Sequence, residues 1–217
     1  MTPMPVTGQI VILNGVPRSG KSSIAAAIQE RFDGVWMNIG VDRFMAMTPE
    51  RFRPGVGLRP GGERPDLEPL VVVLYRALYD TVAAHSRLGL NVVVDIGHHD
   101  EFSIPREILR ASARQLGGLP ALLVGVRCPL DIILERRRAT WGVGAAPDGS
   151  IPASVLRFQA AVHDPGIYDL EVDTSAHDPA ACAELIRARL AEGPPPSALG
   201  RLAGSVTASL DRPVGCR

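Results

Sequence analysis

A chain of 217 residues with 46% apolar side chains has enough material for one buried α/β core, and that composition excludes a largely disordered chain. Its 23 basic and 23 acidic residues cancel, so no electrostatic footprint points to nucleic acid or an anionic membrane as partner. Cys128, Cys182 and Cys216 form an odd set without CxxC spacing, which excludes a disulfide framework and a zinc site from the expectations. With no signal-like start and no run of membrane-spanning length, the expected setting is the cytoplasm.

In chain order, residues 9–14 are a short β-branched run that stops at a glycine, as a buried parallel strand does. Residues 22–32 follow with helical spacing, and residues 35–39 read as a second strand ending at Gly40-Val-Asp42. Residues 48–65, crowded with Pro, Gly and Arg, read as a surface loop, and 67–88 as a long helix. Further strands are expected at 91–95, 120–128 and 168–172. The matching helices are 104–116, 130–140, 152–162 and 179–190, with a glycine-rich loop at 142–150. Strand–helix alternation predicts an α/β fold with a five-stranded parallel sheet covered on both faces. Domain organisation follows: residues 1–192 form one domain, and 193–217, opening on Pro194-Pro-Pro196, form a tail outside the core.

The segment Gly15-Val16-Pro17-Arg18-Ser19-Gly20-Lys21-Ser22 satisfies GxxxxGK[ST] between a strand and a helix. Such a loop turns successive N–H groups inward around phosphate, and the following helix start, including Ser23, adds its positive end. Lys21 is expected on the terminal phosphates of ATP, and Ser22 on Mg²⁺. Lys21 is also the one lysine among 23 basic residues, which suits a position where an arginine fork does not fit.

Ligands of open parallel sheets gather at the carboxyl ends of the strands, where three carboxylates fall. Asp42 is either a general base for an acceptor hydroxyl or the N-cap of a helix beginning at Arg43. Asp95 ends an apolar strand and suits a Mg²⁺ role. Asp173 reads as a strand-end turn. His98 and His99 lie on the ligand side, either as a metal pair or, more commonly for adjacent loop histidines, as contacts for substrate or solvent. Arg136, Arg137 and Arg138 precede the glycine-rich loop, with Arg136 the chosen lid arginine for the transferring phosphoryl group. Met45, Met47 and Phe52 are open between an acceptor pocket and the core.

These segments resemble the chloramphenicol phosphotransferase family over most of residues 9–176. The resemblance rests on Ile12-Leu-Asn-Gly15, Gly20-Lys-Ser22, Gly40-Val-Asp42, Val124-Gly-Val-Arg-Cys128 and Tyr168-Asp-Leu-Glu-Val-Asp-Thr174. It implies a P-loop kinase fold similar to adenylate and shikimate kinases, and transfer of the ATP γ-phosphate to a hydroxyl of an antibiotic. It also implies that Asp42 is the base, that Lys21 and Ser22 bind nucleotide, and that Arg136 lies near the lid. Ala139-Thr-Trp-Gly142 departs from the family's Ala-Arg-Gly-Asp-Arg, so one lid arginine is missing. The alternatives are a nucleoside, sugar or metabolite kinase, with arginines of the 48–65 loop on an anionic acceptor, and a nucleotide-binding regulatory or toxin-like protein with a macromolecular partner. Oligomeric state is open, a homo-oligomer included.

Overall fold

In the computed structural model, residues 7–142, 144, 149–193 and 198–204 are described. Five parallel strands, β1 (Ile10–Asn14), β2 (Trp36–Asn38), β3 (Asn91–Ile96), β4 (Ala121–Arg127) and β5 (Leu170–Asp173), form one sheet in the order β2-β3-β1-β4-β5. The connections are helical: α1 (Lys21–Arg31), α2 (Val41–Ala46), α3 (Glu68–Arg87), α4 (Ile108–Gln115), α5 (Leu130–Trp141), α6 (Ala153–Ala161) and α7 (Pro179–Ala191). The last described helix is α8 (Ala198–Gly204). No helix among the described residues is long and apolar enough to cross a membrane.

Strand periodicity divides the core in two. Ile10 and Ile12, with Val92, Val94 and Ile96, face α3, α4 and α8. Val11 and Leu13, with Val93, Val124 and Val126, face α1 and α7. Successive side chains point to opposite faces, so a strand apolar at every position is stable only with helices on both sides. On α3, Val71, Tyr75, Leu78, Tyr79, Val82 and Ala83 recur at helical spacing and are buried, while Val73 is exposed.

Two sequence expectations change. The helix expected at 104–116 starts only at Ile108. Upstream, the Asp100 carboxylate accepts from the N–H groups of Arg106 and Glu107 at 2.7 and 2.8 Å, and Glu107 takes left-handed backbone just before the helix. Part of the 193–217 segment also belongs to the core: Ala198, Leu199 and Leu202 are buried against the α3–α4 layer. Asp169 fastens this helix to the sheet, accepting from Ala198 N at 2.6 Å and from Leu123 N at 2.8 Å. Residues 194–197 and 205–217 of the expected tail, and 143 and 145–148 of the glycine-rich loop, lie outside the described residues.

Candidate active site

Because β1 lies at the centre of the sheet, between β3 and β4, the loop after it opens at the middle of the carboxyl edge. Gly15 is required by close approach: a Cβ there would lie 2.6 Å from Val126 O and 2.8 Å from Ser19 Oγ. Arg18 and Gly20 both take left-handed backbone, with φ of 70° and 100°, which curls the loop back on itself. The N–H groups of Arg18, Gly20, Lys21 and Ser22 have no backbone partner among the described residues, and α1 begins at Lys21. A concave set of free donors at a helix start is an anion cradle.

Lys21 Nζ donates to Val16 O at 2.9 Å and lies 3.6 Å from Asp95 Oδ1. Burial pulls its pKa down, against the opposing pull of the Asp95 and Asp42 carboxylates. Ser22 Oγ donates to the other Asp95 oxygen. The last turn of the phosphate loop and the end of β3 thus bring one hydroxyl and one carboxylate together. This oxygen pair suits Mg²⁺, which takes few protein ligands and completes its shell with phosphate and water. Among the described residues no group of three His, Cys, Asp or Glu suits a metal ion, so the expectation for Ser22 and Asp95 rests on this pair.

A cleft of about 530 Å³ opens above the loop, lined by Gly15, Lys21 and Asp95 on one side and Asp42, Leu58 and Tyr75 on another. Val155 and Phe158 of α6 close it with Arg137 and Trp141 of α5. Asp42 lies in the first turn of α2, whose N-cap is Gly40 with no side-chain cap bond. The capping alternative therefore falls away. The Asp42 carboxylate makes no hydrogen bond among the described residues and shares the cleft with Lys21.

Arg136 differs from its expected position. Its guanidinium donates to Thr174 O at 2.8 Å, Thr174 Oγ1 at 3.0 Å and Arg18 O at 3.4 Å, bracing the phosphate loop against the end of β5. Its neighbour Arg137 lines the cleft instead, since adjacent helical positions face different ways. Trp141 carries the Arg18 guanidinium 4.1 Å and the Arg137 guanidinium 4.8 Å from its ring. Arg138 is exposed.

The histidines are buried rather than free to meet solvent. His98 stacks on Tyr79, whose Oη is 2.6 Å from Nε2, and burial holds its pKa down to about 3. His99 Nε2 lies 3.0 Å from Leu58 O, tying the 48–65 loop to the segment after β3. Met45 joins the core and Met47 is exposed; neither lines the cleft, nor does Phe52. Asp173 accepts from Ser175 N and Oγ at 2.8 and 2.6 Å, the strand-end turn anticipated.

Sequence reading overlooked Asn14. Buried at the end of β1, it donates to Val162 O at 2.8 Å and Tyr168 Oη at 2.9 Å, and accepts from His98 N at 2.7 Å. Having accepted from Asn14, the Tyr168 hydroxyl has its proton for His163 Nδ1, 2.7 Å away. Burial and the nearby Arg127 charge hold His163 down to about 4, in the neutral form that accepts this bond. One amide therefore ties the base of the phosphate loop to the α6 wall, the β3 loop and β5. A polar residue closing an otherwise apolar strand was the signal available.

Among solved structures, the chain resembles a sugar kinase from Janibacter (18% identity, TM-score 0.58, covering 90% of this chain and 98% of that one). It also resembles the adenosine phosphosulfate (APS) kinase of Mycobacterium tuberculosis (18%, 0.56, 86% and 99%) and a shikimate kinase from Acinetobacter baumannii (12%, 0.55, 87% and 96%). At these identities the likeness establishes the fold, that of P-loop kinases. A Mycobacterium tuberculosis strain H37Rv protein named "Putative O-phosphotransferase" is 29% identical over 215 residues, 90% of this chain and 88% of its own length. The profile of the chloramphenicol phosphotransferase-like proteins matches residues 8–191. With its phosphate loop, strand-end carboxylates and sheet order, the chain belongs to the chloramphenicol phosphotransferase-like family, phosphotransferases built on the P-loop kinase fold.

Proposed function

We propose that the protein is an ATP-dependent O-phosphotransferase acting on a hydroxyl of a small molecule, with chloramphenicol-like antibiotics as the first acceptor class to test. The observation that carries the proposal is the unbonded Asp42 carboxylate, which lines the same cleft as Lys21 and Asp95. A carboxylate engaged in a cap or an ion pair would be a poor base; this one is engaged in neither.

Bound together, ATP supplies the phosphoryl group and Mg²⁺ neutralises its charge. The loop N–H groups and Lys21 hold the terminal phosphates, while Ser22 and Asp95 provide the metal-binding oxygens. Asp42 accepts the acceptor proton as the acceptor oxygen bonds to phosphorus and the bond to the ADP oxygen breaks. Arg137 contributes the positive charge expected of a lid. Leu58, Val155 and Phe158 offer an apolar surface to the acceptor body and keep water from competing. Dependence on ATP makes the cytoplasm its place of work.

The test is a radiolabelled-ATP screen of hydroxylated antibiotics and nucleosides, with Lys21→Ala as the blank. Against the best acceptor, Asp42→Asn should lower kcat by about 10²–10⁴-fold, the usual contribution of a positioned base. Normal turnover by that variant would remove Asp42 from the role.

A further inference from the structure

Two tyrosines on the buried face of α3 stand one turn apart and use their hydroxyls differently. Tyr79 is fully buried and its Oη is 2.6 Å from His98 Nε2, so this hydroxyl is satisfied inside the core. Tyr75 is 5% exposed; its ring tilts against the same His98, 5.4 Å between centroids, and packs with the α3 core residues. The Tyr75 hydroxyl has no hydrogen-bond partner among the described residues, yet it is not one of their sealed, unpartnered polar atoms. The direction left to it is the cleft, which Tyr75 lines with Asp42, Leu58, Ile96 and Phe158. Burial pushes the phenol pKa up, and the Asp42 charge adds to the rise. Tyr75 therefore keeps its proton at any working pH and is a donor in search of an oxygen. For packing alone, a phenylalanine ring would fill the same place without a polar atom to satisfy.

We propose that Tyr75 is an acceptor-binding residue whose O–H donates to a hydroxyl or ether oxygen that the acceptor carries next to the hydroxyl being phosphorylated. The inference rests on the phosphotransferase reading above and deepens it by naming the chemistry of the acceptor. The reacting hydroxyl gives its proton to Asp42 and a lone pair to phosphorus. A donor on that same oxygen would hold the lone pair back, so the productive target for Tyr75 is the neighbouring oxygen. Asp42 and Tyr75 line one cleft as an acceptor and a donor, and they fit a ligand that presents one donating and one accepting oxygen. Two such bonds also fix the rotation of the acceptor, which aims the attacking oxygen. An alcohol without the second oxygen would cover the phenol with carbon and leave its proton unpaired, the arrangement by which a polar site rejects an analogue lacking one oxygen.

Paired probes test this on the full chain. Thymidine is compared with carbocyclic thymidine, which lacks the ring oxygen beside the 5′-hydroxyl. Chloramphenicol is compared with 1-deoxychloramphenicol, which lacks the hydroxyl nearest the primary one. Transfer of radiolabelled phosphate from ATP is followed in wild type, Tyr75→Phe and Tyr79→Phe. Within a pair that it phosphorylates, wild type should favour the oxygen-bearing member by about tenfold in kcat/KM, the worth of one hydrogen bond. Tyr75→Phe should lower kcat/KM for that member, mainly through KM, until the pair is equal. Its Tm should stay at the wild-type value, because no bond within the protein is lost. Tyr79→Phe should do the reverse, lowering Tm and keeping the preference, since it breaks the bond to His98. The proposal is overturned by a wild type that shows no preference, by a Tyr75→Phe protein that retains it, or by equal losses on both members of a pair. It is also overturned if wild type binds magnesium-ATP yet phosphorylates none of the four probes. Failure of folded wild type to take up ATP removes the phosphotransferase reading itself, a result distinct from all of these.

Discussion

Replacing Asn14 by leucine should reveal how firmly the phosphate loop is tied to the rest of the cleft. Leucine has nearly the same shape but no polar atoms, so no water can occupy the space and restore the bonds. Three bonds vanish: to Val162 O, to Tyr168 Oη and from His98 N. Tyr168 keeps His163 as partner, which leaves two buried backbone groups orphaned. At about 1–3 kcal/mol for each orphan, the expected loss is about 3 kcal/mol. In a domain of this size that lowers Tm by about 6–12 °C. Urea unfolding should report the same loss through a shifted midpoint with an unchanged slope. Tyr168→Phe removes one hydroxyl and should cost about 1 kcal/mol. The double variant should cost less than the two single changes together, because one bond is common to both. A loss below about 1 kcal/mol for Asn14→Leu would refute the reasoning. The network would then be replaceable, and something else would hold α6 against the loop.

Two further predictions concern stability. His98 is neutral in the folded protein, its pKa held at about 3 against an ordinary 6.5. Below about pH 6.5 the unfolded chain binds the proton first, so stability present above that pH is lost as pH falls toward 3. His98 alone should remove about 2 kcal/mol between pH 7 and pH 5, measurable by urea titration at each pH and reduced in His98→Gln. Leu202→Ala should cost about 2–4 kcal/mol, because the side chain is fully buried in the α3–α4 layer. If residues 198–204 were merely a tail, the change would stay within about 0.5 kcal/mol by chemical denaturation.

Local chemistry determined most of the fold from sequence alone. The apolar runs at 10–14, 91–96 and 121–127 are strands buried on both faces, and such runs need no tertiary information to be recognised. The spacing of Gly15, Gly20, Lys21 and Ser22 likewise carries its own meaning, because backbone geometry over eight residues forms the cradle. Tertiary structure decided which way long side chains point and what lies opposite them. Arg136 and Arg137 are indistinguishable as neighbours in a basic run, yet one braces Thr174 and the other lines the cleft. Asp42 as cap or free carboxylate turned on whether α2 begins at Val41 or two residues later, at Arg43. The meeting of Arg18 and Arg137 on the Trp141 ring, and of Arg59 and Arg137 along one cleft, exists only after folding, as does the burial of α8 beneath Asp169. Strands and phosphate loops are read from contiguous residues. Charge clusters and helix docking depend on contacts between residues far apart in the chain, which no local pattern encodes.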